Sequence, residues 1–118
     1  MSKVARRRVV ASESAGRKAA GRAQDDALAA EWDAASRETR AMMDRSGGVR
    51  SEKLDACAKA SRASCTAYRS GKSGDHRRAA AAHELAADLE SSDVSRRAHK
   101  KTAAEHAAHA EATSRKRS

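Results

Sequence analysis

The sequence predicts an all-α fold: two antiparallel αα-hairpins packed as a four-helix bundle, preceded by a basic, flexible N-terminal arm. Thirty of the 118 residues are alanine and none is proline, and Ala, Arg, Lys and Glu are strong helix formers. Residues that favour strands are nearly absent, since the chain contains no isoleucine or phenylalanine. Uncharged residues recur at spacings of three and four, which is the heptad pattern of one helix face in a coiled coil.

The bundle is predicted to occupy residues 23–114, between a basic arm and a basic tail. Two glycines weaken any helix in the first 22 residues, so we expect that arm to be partly disordered. The predicted segments are the arm 1–22, the hairpin 23–69 with helices at about 23–46 and 50–69, the Gly/Ser linker 70–74, the hairpin 75–114 with helices at about 75–90 and 93–113, and the tail 115–118.

Turn and cap residues place the helix ends. Gly47 and Gly48 are typical of a helix C-terminus. Ser51 is followed by acidic residues in the next turn, which is typical of an N-cap. The stretch Ser91–Asp93 predicts the cap of the fourth helix. Four helices with short connections therefore follow in chain order.

Folding each hairpin about its turn predicts which residues face each other. In the first hairpin facing residue numbers add to 96, and the predicted pairs are Leu28–Tyr68, Trp32–Ser64, Ala35–Ser61, Thr39–Cys57 and Met42–Leu54. Large residues there face small ones, as in interdigitated cores. In the second hairpin the numbers add to 182, and the predicted pairs are His83–His99 and His76–His106.

Large apolar residues are scarce, which limits the core that a monomer can bury. Leucine and valine together supply nine residues, so monomeric stability should be marginal and a homo-oligomer or protein partner is favoured. Cys57 and Cys65 lie eight residues apart, too far to bridge on one helix, and we expect a reducing, cytoplasmic location. No run is apolar enough for a membrane span. The Arg-rich start also resembles an organellar transit peptide, which we rank below a nucleic-acid-binding arm.

Excess positive charge is confined to the two ends of the chain. The net charge is +9, residues 1–22 hold seven basic and one acidic side chain, and residues 23–114 sum to zero. We therefore expect a non-enzymatic accessory or architectural protein that contacts nucleic acid, including DNA, without sequence preference. The predicted contact residues are Lys3, Arg6, Arg7, Arg8, Arg17, Lys18, Arg22, Arg96, Arg97, Lys100, Lys101, Arg115, Lys116 and Arg117.

Two alternative functions remain open. The small alanine core favours a self-assembling or partner-binding structural bundle. The histidines favour a metal-binding or pH-responsive bundle, with His76, His83, His99, His106 and His109 as candidate ligands. We expect buried, hydrogen-bonded histidines more than a metal site, and no cofactor. Cys57 is interpreted as core filler, Ser70–Ser73 as a linker that only resembles a phosphate-binding loop, and no catalytic group is recognised.

Overall fold

A computed structural model of the protein describes the backbone of residues 3–45 and 51–117, and the side chains of residues 21–45 and 51–114. The described backbone is helical apart from short connections, and no strand occurs in it. The helices are α1 (Lys3–Arg45), α2 (Glu52–Ser70), α3 (Ser73–Leu89) and α4 (Asp93–Arg117). The predicted all-α class and its two hairpins are confirmed. The predicted helix stop at Gly47–Gly48 lies outside the described residues.

The two ends of α2 follow from its sequence. Ser51 is the predicted N-cap, and its Oγ accepts a hydrogen bond from the Leu54 N–H at 3.4 Å. At the other end Gly71 adopts a left-handed conformation with φ of 67°, and its N–H donates to the Ala67 carbonyl at 2.8 Å. Glycine suits this turn because it has no Cβ to clash in the left-handed region.

The connection between the hairpins is shorter than predicted. The predicted Gly/Ser linker had five residues, whereas only Gly71 and Lys72 separate α2 from α3, which begins at Ser73. The Ser70 hydroxyl explains the tight turn, because it accepts from the Lys72 N–H at 3.1 Å and donates to Asp75 Oδ2 at 2.6 Å. The two hairpins are consequently held close together.

Helix α1 begins at Lys3 and not at residue 23, so the backbone predicted as a partly disordered arm is helical from Lys3 onward. Helix α4 likewise continues to Arg117, through most of the predicted tail. Each glycine costs a helix only about 1 kcal/mol relative to alanine. The prediction gave Gly16 and Gly21 more weight than the helix formers around them. We call residues 3–22 the N-terminal extension of α1.

Consecutive helices pack against each other in chain order, α1 on α2, α2 on α3 and α3 on α4. Between α1 and α2, Arg62 Nη1 lies 3.0 Å from Asp33 Oδ1, and their numbers add to 95, within one of the predicted register. In this up-and-down arrangement the start of α1 and the end of α4 lie at the same end of the bundle. We call it the Tyr68 end, and the opposite end, where α3 connects to α4, the Glu90 end.

The core is built from small and polar side chains. Alanines fill much of it, and the largest side chains below 2 % exposure are His83, His106, Cys65 and Ser64. The predicted packing between the two helices of the first hairpin is confirmed at the Tyr68 end. There Leu28 and Trp32 pack against the cluster of Ala29, Cys65 and Tyr68.

Two hydrophobic features differ from an ordinary bundle. Met42 was predicted to face Leu54 between α1 and α2, but it is 44 % exposed, so these two helices cover each other less at the Glu90 end. Leu85 is 63 % exposed, and Leu89 one turn later is 38 % exposed. Alanine allows the helices to approach closely, so the interior has little room for leucine. None of the described helices combines the length and apolar character needed to cross a bilayer.

Candidate functional site

The topology gathers the two basic ends of the chain at the Tyr68 end. The predicted register places residue 26 opposite the last residue of α2, so the N-terminal extension, about 30 Å long, lies beyond the neighbouring helix. At the start of α3, Arg77 Nη2 donates to Ser114 Oγ at 3.0 Å. Arg115, Lys116 and Arg117 follow directly after this contact in the sequence. Both basic ends can therefore face the same polyanion.

Further cations at this end were not among the predicted contact residues. Arg69 and Lys72 are exposed beside the turn that joins α2 to α3. Arg77 and Arg78 are exposed on the first turns of α3, and Arg78 Nη1 lies 2.6 Å from Asp75 Oδ1. These cations were not predicted because the charges of residues 23–114 sum to zero. The fold places these four cations together at the Tyr68 end.

The predicted contact residues divide into two separate groups. Arg96, Arg97, Lys100 and Lys101 begin α4 and so lie at the Glu90 end, away from both termini. Arg96 is also engaged there, with Nη1 2.8 Å from Asp93 Oδ1 and Nη2 donating to the Glu90 carbonyl at 3.1 Å. Arg22 is exposed near the Tyr68 end. The other predicted contact side chains lie outside the described residues: Lys3, Arg6, Arg7, Arg8, Arg17, Lys18, Arg115, Lys116 and Arg117.

A chain of hydrogen bonds runs through the core and joins four of the five histidines. His76 Nδ1 lies 2.8 Å from His106 Nδ1, and His106 Nε2 lies 2.8 Å from Ser64 Oγ. The same hydroxyl lies 2.7 Å from His83 Nε2, and His83 Nδ1 lies 3.0 Å from His99 Nδ1. The predicted pairs His83–His99 and His76–His106 are confirmed. The link through Ser64, which joins the two hairpins, was not predicted.

Aromatic rings enclose this chain of histidines. Trp32 meets His83 edge-on with ring centroids 5.0 Å apart, and because Ser64 also contacts His83, Trp32 and Ser64 lie at one level. Tyr68 lies 5.4 Å from His76 and 5.0 Å from His106, centroid to centroid. The fifth histidine, His109, stacks on His76 at 4.9 Å. Such contacts hold the imidazoles in fixed orientations.

The chain of histidines ends at a cluster of three different functional groups at the Glu90 end. Cys57 Sγ donates to Glu90 Oε1 at 3.4 Å and lies 3.5 Å from His99 Nε2. His99 Nε2 lies 3.5 Å from the same Glu90 oxygen. The other carboxylate oxygen, Oε2, lies 3.2 Å from Lys53 Nζ. Glu90 is only 7 % exposed, so this carboxylate depends on these partners in place of water.

The proton positions along the chain follow from counting donors. A neutral imidazole has one N–H and one acceptor nitrogen, and a hydroxyl has one hydrogen. A hydroxyl oxygen can also accept two bonds, so the directions are set only once one bond is assigned. If the His99 N–H faces the Glu90 carboxylate, which only accepts, then His83 donates to His99, Ser64 donates to His83, and His106 donates to Ser64.

Burial shifts the titration of these histidines strongly. Burial, followed by the charge of His99, lowers the pKa of His83 to about 4. Burial, followed by the charges of its three histidine neighbours, lowers the pKa of His106 to about 3. The pKa of His76 is also lowered, by burial first and by His109 second, with Asp25 and Asp75 acting in the opposite direction. The imidazoles of His76, His83 and His106 are therefore neutral in the folded protein at pH 7.

The cluster at the Glu90 end has shifted pKa values as well. Burial, and then the hydrogen bond to Glu90, raise the pKa of the Cys57 thiol to about 11. For Glu90, burial acts to raise the pKa, but the bonds from Lys53 and Cys57 outweigh it and the pKa is lowered. At pH 7 the pair is a thiol that donates to a carboxylate.

The interpretation of Cys57 as core filler is corrected by this geometry. Cys57 is a hydrogen-bonding member of the cluster, and its partner Glu90 is buried. The five histidines do not converge on one point. Among the described residues, the group able to offer three metal-ligating atoms together is Cys57, Glu90 and His99, which includes one histidine.

A sequence signal for this cluster did exist. Lys53 and Glu90 are equally distant along the chain from the Gly71–Lys72 turn. Folding α2 against α3 about that turn, as was done within each hairpin, brings the two residues together.

No protein-family model matches the chain, and no curated protein or solved structure is significantly similar to it.

Proposed function

We propose that the protein is a non-enzymatic helical bundle that binds nucleic acid without sequence preference through its Tyr68 end. The observation that supports this most is the up-and-down topology, which brings the N-terminal extension of α1 and the end of α4 to the same end. Residues 1–22 hold seven basic side chains and residues 115–117 hold three more, against one acidic side chain in these segments. An accessory or architectural role fits such a surface.

Double-stranded nucleic acid is the favoured form of the ligand. A helical extension of about 30 Å whose sequence holds seven basic residues suits a row of phosphates. Residues 1–22 and 115–118 contain no aromatic side chain that would stack on unpaired bases. The affinity should come from counterion release, so it should fall steeply with salt and vary little with sequence. The neutral body would remain outside the contact.

Three variants with the same change in charge test this proposal on random-sequence duplex DNA. The first changes Arg6, Arg7 and Arg8 to Gln, and the second changes Arg115, Lys116 and Arg117 to Gln. The control changes Arg97, Lys100 and Lys101 to Gln, which lie at the Glu90 end. Binding is measured over a salt series by fluorescence anisotropy with labelled DNA.

The first two variants should each reduce the slope of log K against log salt by up to about 2.7, close to 0.9 for each lost contact. The control should keep the wild-type slope. Equal losses in all three variants would show a general charge effect and would contradict binding through the Tyr68 end. Unchanged affinity in the first two would rule out the basic termini as the contact.

Self-association into a homo-oligomer is a second candidate function, favoured by the exposed leucines of α3. Leu85 and Leu89 line a shallow groove of about 240 Å³ against Ala56 of α2. Exposed leucines on one helix face favour association with a second copy of the chain. Sedimentation velocity tests this, comparing wild type with the double variant Leu85→Gln and Leu89→Gln. A wild-type monomer at tens of micromolar would contradict it.

A further inference from the structure

Three donor atoms from different parts of the fold form a nearly equilateral triangle at the Glu90 end. They are Cys57 Sγ on α2, Glu90 Oε1 directly after α3, and His99 Nε2 on α4. The S–O distance is 3.4 Å, the S–N distance is 3.5 Å and the N–O distance is 3.5 Å. The three atoms belong to side chains that are held in place by further contacts.

We propose that Cys57, Glu90 and His99 bind a zinc ion, with a water molecule in the fourth position. Tetrahedral zinc has Zn–S of about 2.3 Å, Zn–N of about 2.0–2.1 Å and Zn–O of about 2.0–2.2 Å. These bond lengths place the donor atoms about 3.4–3.6 Å apart. The observed triangle already has this size, so an ion can bind with little movement of the backbone.

The chemistry of the ligand atoms favours zinc over magnesium, calcium and Cu(I). Thiolate and imidazole exclude magnesium and calcium as the preferred ions, because those take oxygen ligands. A single thiolate beside a carboxylate is also a poor site for Cu(I), which prefers several sulfur ligands. A thiolate and a carboxylate together neutralise a divalent ion, which is needed where Glu90 is only 7 % exposed.

Neighbouring groups orient the ligands for this role. Lys53 Nζ pairs with Glu90 Oε2 at 3.2 Å and leaves Oε1 for the ion. His99 Nδ1 lies 3.0 Å from His83 Nδ1, so His99 can donate there when Nε2 binds metal. Binding then releases one proton, that of the Cys57 thiol, to the solvent. His99 then carries its proton on Nδ1 and donates it to His83 Nδ1, so His83 carries its own proton on Nε2, toward the Ser64 hydroxyl.

The test uses the full chain after removal of metal with a chelator. Zinc is titrated by calorimetry in two buffers that differ in ionisation enthalpy, and Co²⁺ is used as a spectroscopic probe of sulfur ligation. The variants are Cys57→Ser and Glu90→Gln. The matched control is Cys65→Ser, a buried cysteine of the same helix that packs in the Tyr68 cluster. Circular dichroism establishes that each variant is folded.

Wild type and Cys65→Ser should bind one zinc ion with release of about one proton, and should show the sulfur-to-cobalt charge-transfer band. Cys57→Ser should bind zinc more than about 100-fold more weakly than wild type and should lack that band. This loss is larger than the loss caused by changing a residue that only contacts a metal ligand. Glu90→Gln should weaken zinc binding but keep the band. The absence of stoichiometric binding, or full binding by Cys57→Ser, would overturn the proposal. Binding that survives in Cys57→Ser and is lost in His76→Ala would place the metal on the histidines instead.

Discussion

His83 Nδ1 and His99 Nδ1 lie 3.0 Å apart, across the interface between α3 and α4. The contact joins corresponding nitrogens of two rings, so one nitrogen must carry the hydrogen and the other must accept it. It also fits the register of the second hairpin, because these residues are equally distant from the α3–α4 connection. A single contact therefore reports how the helices align and requires one N–H between the two rings.

Acidification of the metal-free protein should destabilise it, beginning near pH 6.5. The pKa of His83 is about 4 and that of His106 about 3 in the folded protein, whereas an unfolded histidine has a pKa of about 6.5. Between these values the unfolded chain binds protons that the folded protein does not. The free energy of unfolding should fall by up to about 1.4 kcal/mol per pH unit for each histidine.

Urea unfolding in the presence of a chelator measures this loss, with emission of the single tryptophan Trp32 as the signal. Trp32 contacts His83, so its emission also reports on that ring. The lowered pKa values of His83 and His106 place protonation of these rings in the folded state well below pH 6. A stability that stays flat from pH 7 to pH 5 would contradict the prediction.

Replacing Ser64 by alanine should break the hydrogen-bond chain at its centre. The Ser64 hydroxyl is the partner of both His83 Nε2 and His106 Nε2, so two buried nitrogens would lose a bond. We expect a loss of about 2–4 kcal/mol in the free energy of unfolding, since each buried unpaired group costs about 1–3 kcal/mol. Ser61→Ala is the matched control, a buried serine of the same helix, and should cost less than about 1 kcal/mol. Equal losses in the two variants would show that the chain contributes nothing to stability.

Tyr68 should ionise only above the usual range for a phenol. Burial, followed by the charges of Glu105 and Asp25, raises its pKa above 10. Because Tyr68 is the single tyrosine, its ultraviolet absorbance during alkaline titration follows this group alone. Glu105→Gln should move the pKa part of the way back, and Glu31→Gln, an exposed residue of α1, should not. A native titration that coincides with the one in denaturant would contradict the buried position of the ring.

Two glycines at the turn between the hairpins should change the stability of the protein in opposite directions when each is replaced by alanine. Gly71 has φ of 67°, so Gly71→Ala should destabilise the protein by about 1–2 kcal/mol. Gly74 lies in the first turn of α3, and a Cβ there would meet nothing within 4 Å. Gly74→Ala should therefore stabilise the protein by about 0.4–1 kcal/mol. Thermal unfolding measures both, and a neutral Gly71→Ala would show that the left-handed turn is not required.

The sequence alone predicts contacts within a hairpin better than contacts between hairpins. A short turn determines which residues of two antiparallel helices face each other, so His76–His106 and His83–His99 could be paired by counting. How one hairpin packs on the other depends on the turn at Gly71–Lys72, whose length was overestimated. The role of Ser64, which reaches across that interface, was missed for this reason.

Other errors came from weighing single residues against their surroundings. Two glycines suggested a disordered arm, although alanine and arginine around them favour a helix from Lys3. Cys57 was judged by its size alone, because α2 was not folded against α3 about the Gly71–Lys72 turn, which would have brought Glu90 to its end of the helix. Met42 fits the heptad pattern but is exposed. Its exposure was not predicted because a heptad pattern does not show whether a neighbouring helix covers the residue.

The hydrogen-bond chain also links the proton positions of neighbouring residues. If His99 carries its proton on Nδ1, His83 must carry its own on Nε2, and the Ser64 hydroxyl then accepts from His83. Because this hydroxyl can accept a second bond from His106, the coupling ends at Ser64. A change of partner at the Glu90 end therefore reaches the centre of the core through His99 and His83.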